Sequence, residues 1–131
     1  MRPARNEAIG KLVLRLALGV IVLLHGIAKL RGGIDGIEQM VQGHGLPAFL
    51  AYGVYAGELV GPVLLIVGFY ARIGALLIAL NMLVAFFLAH ASQIFTLGPQ
   101  GGWALELQGM LLFGAIASML LGPGRPAIND R

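Results

Sequence analysis

The 131-residue chain contains no cysteine. Disulfides, thiol redox chemistry and cysteine-ligated iron–sulfur clusters are therefore excluded within it. Charge is scarce as well. Only 11 % of residues are Asp, Glu, Lys or Arg, where a water-soluble domain carries about a quarter. With 58 % of its residues hydrophobic, the chain lacks the polar surface to cover a water-facing exterior, which places it in a membrane. The gaps between apolar runs are too short to hide a soluble domain. No H-x-x-H or E-x-x-H spacing occurs, so neither a metal ion nor a haem held by His25 and His90 has a motif behind it. The basic residues form no cluster on one polar face, which speaks against nucleic acid as a partner.

What is present is four apolar runs, at about 12–30, 48–70, 73–90 and 103–121. Each is close to the ~20 residues of a spanning helix, and none alternates as a strand does. Gly43, Gly45 and Pro47 separate the first two runs, Tyr70 to Arg72 turn the second into the third, and "TLGPQGG" (Thr96 to Gly102) breaks the chain before the fourth. The expected fold is all-α: an integral membrane four-helix bundle forming a single domain over 1–131. The N-terminus has the basic start and apolar core of a signal peptide. It lacks a small-x-small cleavage site after the core and is read as an uncleaved span. Between the first two runs, "IDGIEQMVQ" sets Ile34, Ile37, Met40 and Val41 at helical spacing with Asp35, Glu38 and Gln42 between them. That pattern predicts a short amphipathic helix on the outer membrane surface.

Orientation follows from the basic residues. Arg2, Arg5, Lys11, Arg15, Arg72, Arg125 and Arg131 share one side of a four-span topology, while Lys29 and Arg31 alone lie on the other. The positive-inside rule then puts both termini in the cytoplasm.

Polar residues inside the runs are costly, at ~2.5–3.5 kcal/mol for a charge at the bilayer centre. Arg15 lies near the cytoplasmic end, where snorkelling to the headgroups is expected. Lys29 lies near the outer end. His25 shares its face one turn deeper, by ~6 Å at ~1.5 Å per residue. Glu58 sits midway along the second run, His90 ends the third, and Glu106 lies one turn inside the fourth. His25, Lys29, Glu58, His90 and Glu106 all fall in the outer half, from four helices. Pro62 removes the hydrogen bond that the Glu58 carbonyl would accept, and Gly57 and Gly61 permit close helix approach. Two readings compete. Ion pairs of Lys29 with Glu58 or Glu106 could hold the bundle in register. Alternatively, His25, Lys29, Glu58, Asn81, His90 and Glu106 line an outward-facing polar pocket, and five ionisable groups exceed what register needs. An internal echo suggests two related helical hairpins: "ELVG" at Glu58 recurs as "ELQG" at Glu106, and the first and third runs each start near an arginine, Arg15 or Arg72, and carry a histidine toward their outer ends.

The succession Arg15…His25-Gly26…Lys29, Gly45-Leu46-Pro47, Gly57-Glu58 with Gly61, Gly68…Arg72, Gly101-Gly102…Glu106 and Gly122-Pro123-Gly124-Arg125…Asp130 resembles the DoxX family over about Leu12 to Asp130. The resemblance implies a bacterial inner-membrane protein. It also implies a subunit or small enzyme of quinone-linked oxidoreduction, since the family is named for a subunit of a thiosulfate:quinone oxidoreductase and its members commonly carry oxidoreductase names. Quinone is the candidate cofactor. Candidate partners are the lipid bilayer, membrane or soluble oxidoreductase subunits, and further copies of the chain. Pro126 and Asn129 stand where a serine- or aromatic-like segment is expected before the Asp. Without cysteine, a redox role must take its electrons from a quinone, a bound cofactor or a partner. The alternative is a small transporter or a non-catalytic assembly subunit. A copurified quinone favours the first reading, and proton-coupled flux in liposomes the second.

Overall fold

The first helix begins before its apolar run does. In the computed structural model, which describes residues 3–33, 35–88, 95–99 and 101–131, helix α1 spans Pro3–Gly32. Good helix formers such as Arg5, Glu7, Ala8 and Lys11 extend it nine residues ahead of Leu12. Helix α2 (Asp35–Gly43) follows. Its apolar side packs against the chain itself, with Val41 on Ala51 and with Ile37 and Tyr55 alongside. Ile34 lies outside the described residues.

Helix α3 runs over 48–67 and changes pitch along its length. A 3₁₀ turn (Ala48–Tyr52) leads into one α turn (Gly53–Tyr55), a π turn (Ala56–Val60) and an α-helix (Gly61–Val67). Pro62 explains the π turn: it has no N–H for the carbonyl of Glu58, and its ring crowds that carbonyl. The chain widens, and the Gly61 N–H donates to the carbonyl of Ala56, five residues back. Gly68, in the left-handed conformation (φ 73°), ends the helix. Helices α4 (Ala71–Leu88) and α5 (Glu106–Leu121) complete the set.

Helix α5 starts at Glu106, three residues later than expected. Trp103 is bridged back to Leu97 and its ring lies edge-on to Phe86. Apart from that isolated bridge, the described residues are helix, turn or irregular chain.

The helices pack in a ring: α1 on α3, α3 on α4, α4 on α5 and α5 back on α1. Leu18, Val22, Leu65, Ile78, Met82, Leu111 and Leu112 fill the centre. The outside is apolar too, with Leu24, Phe87, Phe113 and Leu120 each more than 60 % exposed. Such an exterior suits hydrocarbon rather than water. Two helices, Ala4–Gly32 and Phe49–Val67, are long and apolar enough to cross a membrane, and Ala71–Phe87 and Glu106–Leu121 are shorter apolar helices.

One end of the molecule is tied by arginines. Arg15 is 1 % exposed. It donates to the carbonyls of Leu65 (2.7 Å) and Ile66 (3.3 Å), and to that of Pro126 in the tail. The expectation that Arg15 snorkels to the headgroups is therefore corrected: the last-turn carbonyls at the end of α3, where the helix carries its partial negative charge, draw it inward. Arg72 does the same for α5, donating to the carbonyls of Met119 and Leu120. The tail folds under this end, where Ile128 and Asn129 donate to the Gly68 carbonyl and Asn129 Oδ1 accepts from the Tyr70 N–H. Pro126 and Asn129 thus have work as acceptors.

Candidate functional site

Toward the other end of α1, Lys29 Nζ donates to Glu58 Oε2 at 2.5 Å. The Glu58 side chain is 2 % exposed and that of Lys29 39 %. The π turn sets this glutamate. Its carbonyl, released by Pro62, presses on Gly26, where a Cβ would overlap the Glu58 carbonyl group. On the opposite side Gly57 abuts Asn81, again without room for a Cβ. The Glu58 backbone is thus held between α1 and α4, and its carboxylate is aimed at Lys29.

The pair borders a cavity of about 90 Å³ lined by His25, Asn81, Gln108 and the apolar side chains of Val22, Met82 and Leu111. His25 Nδ1 lies 2.8 Å from the Ile21 carbonyl. A carbonyl only accepts, so Nδ1 carries a proton in this contact, and in that tautomer Nε2 is the acceptor. The cavity therefore offers an ammonium donor, a carboxylate acceptor, an imidazole acceptor and two amides on an apolar background. This is the usual chemistry of a small-ligand site.

Of the six candidate residues, the structure brings His25, Lys29, Glu58 and Asn81 together. Glu106 stays outside. It is exposed in the first turn of α5, its carboxylate over Gly102, where an acidic group suits the helix N-terminus. Lys29 pairs with Glu58 and not with Glu106. His90 lies outside the described residues. Gln108 takes the place expected of Glu106. It is two positions further along α5 and so on nearly the opposite side of the helix, and an amide inside an apolar run was the available signal.

The two arginine clamps are alike, which gives the Arg15 and Arg72 correspondence in the sequence a structural counterpart. Arg15 with Gly68 ends the first half of the chain, and Arg72 with Gly122 ends the second. Counting ten residues from each, His25 corresponds to Met82 and Glu58 to Leu112, while Lys29 corresponds to Phe86. The echo of "ELVG" in "ELQG" is out of register with this arrangement. The second half closes with Met82 and Leu112 buried and no ion pair at the matching place.

The sequence pattern of the DoxX family matches residues 10–91. The chain belongs to the DoxX family. The match takes in His25, Lys29, Glu58 and Asn81 and stops short of Gln108 and the tail. Among curated proteins, this DoxX-family chain is similar to "Putative oxidoreductase CatD" of Bacillus subtilis (strain 168), at 42 % identity over 81 residues. That stretch is 62 % of this chain and 60 % of the relative, so the chain spans about three-fifths of the length of the protein it matches. No solved structure matches it.

Proposed function

We propose that this DoxX-family chain is a four-span inner-membrane protein with both termini in the cytoplasm, and that it binds a quinone head as a component of membrane oxidoreduction. The observation that carries the reading is the Lys29–Glu58 pair bordering a polar cavity inside an apolar molecule. The second half of the chain packs without such a pair, so register alone does not require one. Buried pairs add little over apolar packing in any case. Lys29 and the Asn81 and Gln108 amides donate to a ring carbonyl, and His25 Nε2 accepts from a ring hydroxyl. Glu58, held against Lys29, is the group placed to accept or release a proton when the head changes oxidation state. A quinone supplies two-electron redox chemistry that the chain's own side chains lack. The oxidoreductase name of the relative agrees with this reading. The basic end tied by Arg15 and Arg72 faces the cytoplasm under the positive-inside rule, and the cavity opens toward the outer leaflet.

Purification from native membranes into nanodiscs, followed by solvent extraction, tests the reading. Quinone retained in stoichiometric proportion, and lost in Glu58→Leu, supports it. Absence of quinone together with proton-coupled solute flux in liposomes overturns it in favour of transport.

A further inference from the structure

Beside the polar cavity lies a second void of about 570 Å³, within the ~300–1,000 Å³ of small-molecule pockets. Leu50 and Val54 of α3 form one wall, Leu80 and Val84 of α4 the other, and α2 covers it with Ile37 and Met40. Lys29, Asn81 and Ala85 border both voids, so the two are neighbours on either side of these residues. Apart from Lys29 and Asn81, the lining is apolar.

We propose that this void holds the apolar chain of the molecule whose head lies at Lys29, Glu58 and His25, and that the molecule enters sideways from the outer leaflet beneath α2. The inference rests on the functional reading above and names the form of its ligand: one long apolar chain on a neutral, hydrogen-bonding ring. Four observations carry it. The voids share Lys29, Asn81 and Ala85 in their linings, so a head bound in the smaller one lies beside a large apolar space. The smaller void, about 90 Å³, has room for a compact head or a few waters and none for a chain. Charge then selects the head. Lys29 is already matched by Glu58 at 2.5 Å, which leaves no uncompensated cation at the junction for a phosphate. A neutral ring suits the place and a phospholipid headgroup does not. The cover is adaptable: Val41 anchors α2 on Ala51, while Met40 faces the void with a side chain that repacks readily around a ligand.

Gly53 supplies the test. It borders the void, and a Cβ there meets nothing within 4 Å. Its backbone is right-handed helical (φ −60°, ψ −26°), so a side chain is accepted without strain. Gly53→Phe fills the void without disturbing the packing, and Val84→Trp does so from α4, where Val84 is half exposed. The full chain in neutral-lipid nanodiscs is titrated with 2,3-dimethoxy-5-methyl-1,4-benzoquinone and with its 6-decyl derivative, each corrected for partition into empty discs. The wild type is expected to bind the decyl compound at least tenfold tighter than the head alone. Each variant, with an unchanged thermal midpoint, loses that advantage while its affinity for the head stays within twofold. Equal binding of both probes by the wild type, or variants that keep the decyl advantage, overturns the groove and leaves the quinone reading standing. Binding of neither probe by the wild type overturns both. A phospholipid retained in native mass spectra and lost only in the variants, with decyl affinity unchanged, assigns the void to a bulk lipid and also overturns the proposal.

Discussion

Gly26→Ala is the most revealing small change. A methyl group at Gly26 would overlap the Glu58 carbonyl oxygen, stand 2.7 Å from its carbon and reach Leu59 Cδ2 at 2.9 Å. The obstacle is backbone, so α1 and α3 must separate as bodies. Overpacking of this kind costs about 1–3 kcal/mol, and a backbone obstacle belongs at the upper end. Alanine returns about 1 kcal/mol as a better helix former than glycine. The net loss is about 2 kcal/mol. Gly10 is the control. It lies in the same helix with nothing within 4 Å of its added Cβ, so Gly10→Ala keeps the helix-propensity gain and stabilises by about 1 kcal/mol. The two substitutions are chemically identical and are expected to differ by about 3 kcal/mol with opposite signs. Reversible unfolding in mixed micelles, read by far-UV circular dichroism, measures both. Because α1 carries Lys29, Gly26→Ala should also pull the ammonium from Glu58 and weaken head binding. Equal stability of the two variants would refute the close α1–α3 contact and the placement of Glu58 derived from it.

Other substitutions separate the roles of neighbouring residues. Lys29→Met strands the Glu58 carboxylate and should cost about 2–4 kcal/mol, somewhat below a fully buried pair because Lys29 is 39 % exposed. Glu58→Gln, whose amide oxygen still accepts from Lys29, should cost about 1 kcal/mol. Unfolding midpoints that rank the two the other way contradict the pairing. Arg15→Lys replaces a fork that reaches both α3 and the tail with a point charge, so hydrogen exchange should quicken at Ile128 and Asn129, and unchanged protection there would remove Arg15 as the clamp. Gln108→Leu should weaken quinone binding while Glu106→Gln leaves it within twofold; the opposite result would put Glu106 back in the site.

The helices could be read from the sequence because apolar run length and Gly/Pro punctuation act locally. Pro62 likewise announced a free carbonyl at Glu58, and Gly26 receives it. Side-chain direction was less legible. Arg15 reads as a snorkelling residue because nothing in its own segment shows that Leu65 and Ile66, fifty residues on, present the last-turn carbonyls of α3 to it. Glu106 was placed in the pocket by depth alone. Its azimuth is set by the packing of α5, which brings Gln108 and Leu111 to the cavity and leaves Glu106 exposed. The internal echo holds two registers at once: the four shared letters give one, whereas Arg15 and Arg72, with Gly68 and Gly122, give another, six residues away.

If Lys29 and Glu58 meet to bind a ligand and not to hold the helices, one double variant separates the two roles. Lys29→Met/Glu58→Leu removes both charges together and leaves neither stranded, so apolar packing takes over where the pair was. This double variant, purified in nanodiscs, is expected to unfold within a few degrees of the wild type or above it, and to bind the decyl benzoquinone at least tenfold more weakly. Wild-type affinity in the double variant would refute the ligand-binding role of the pair.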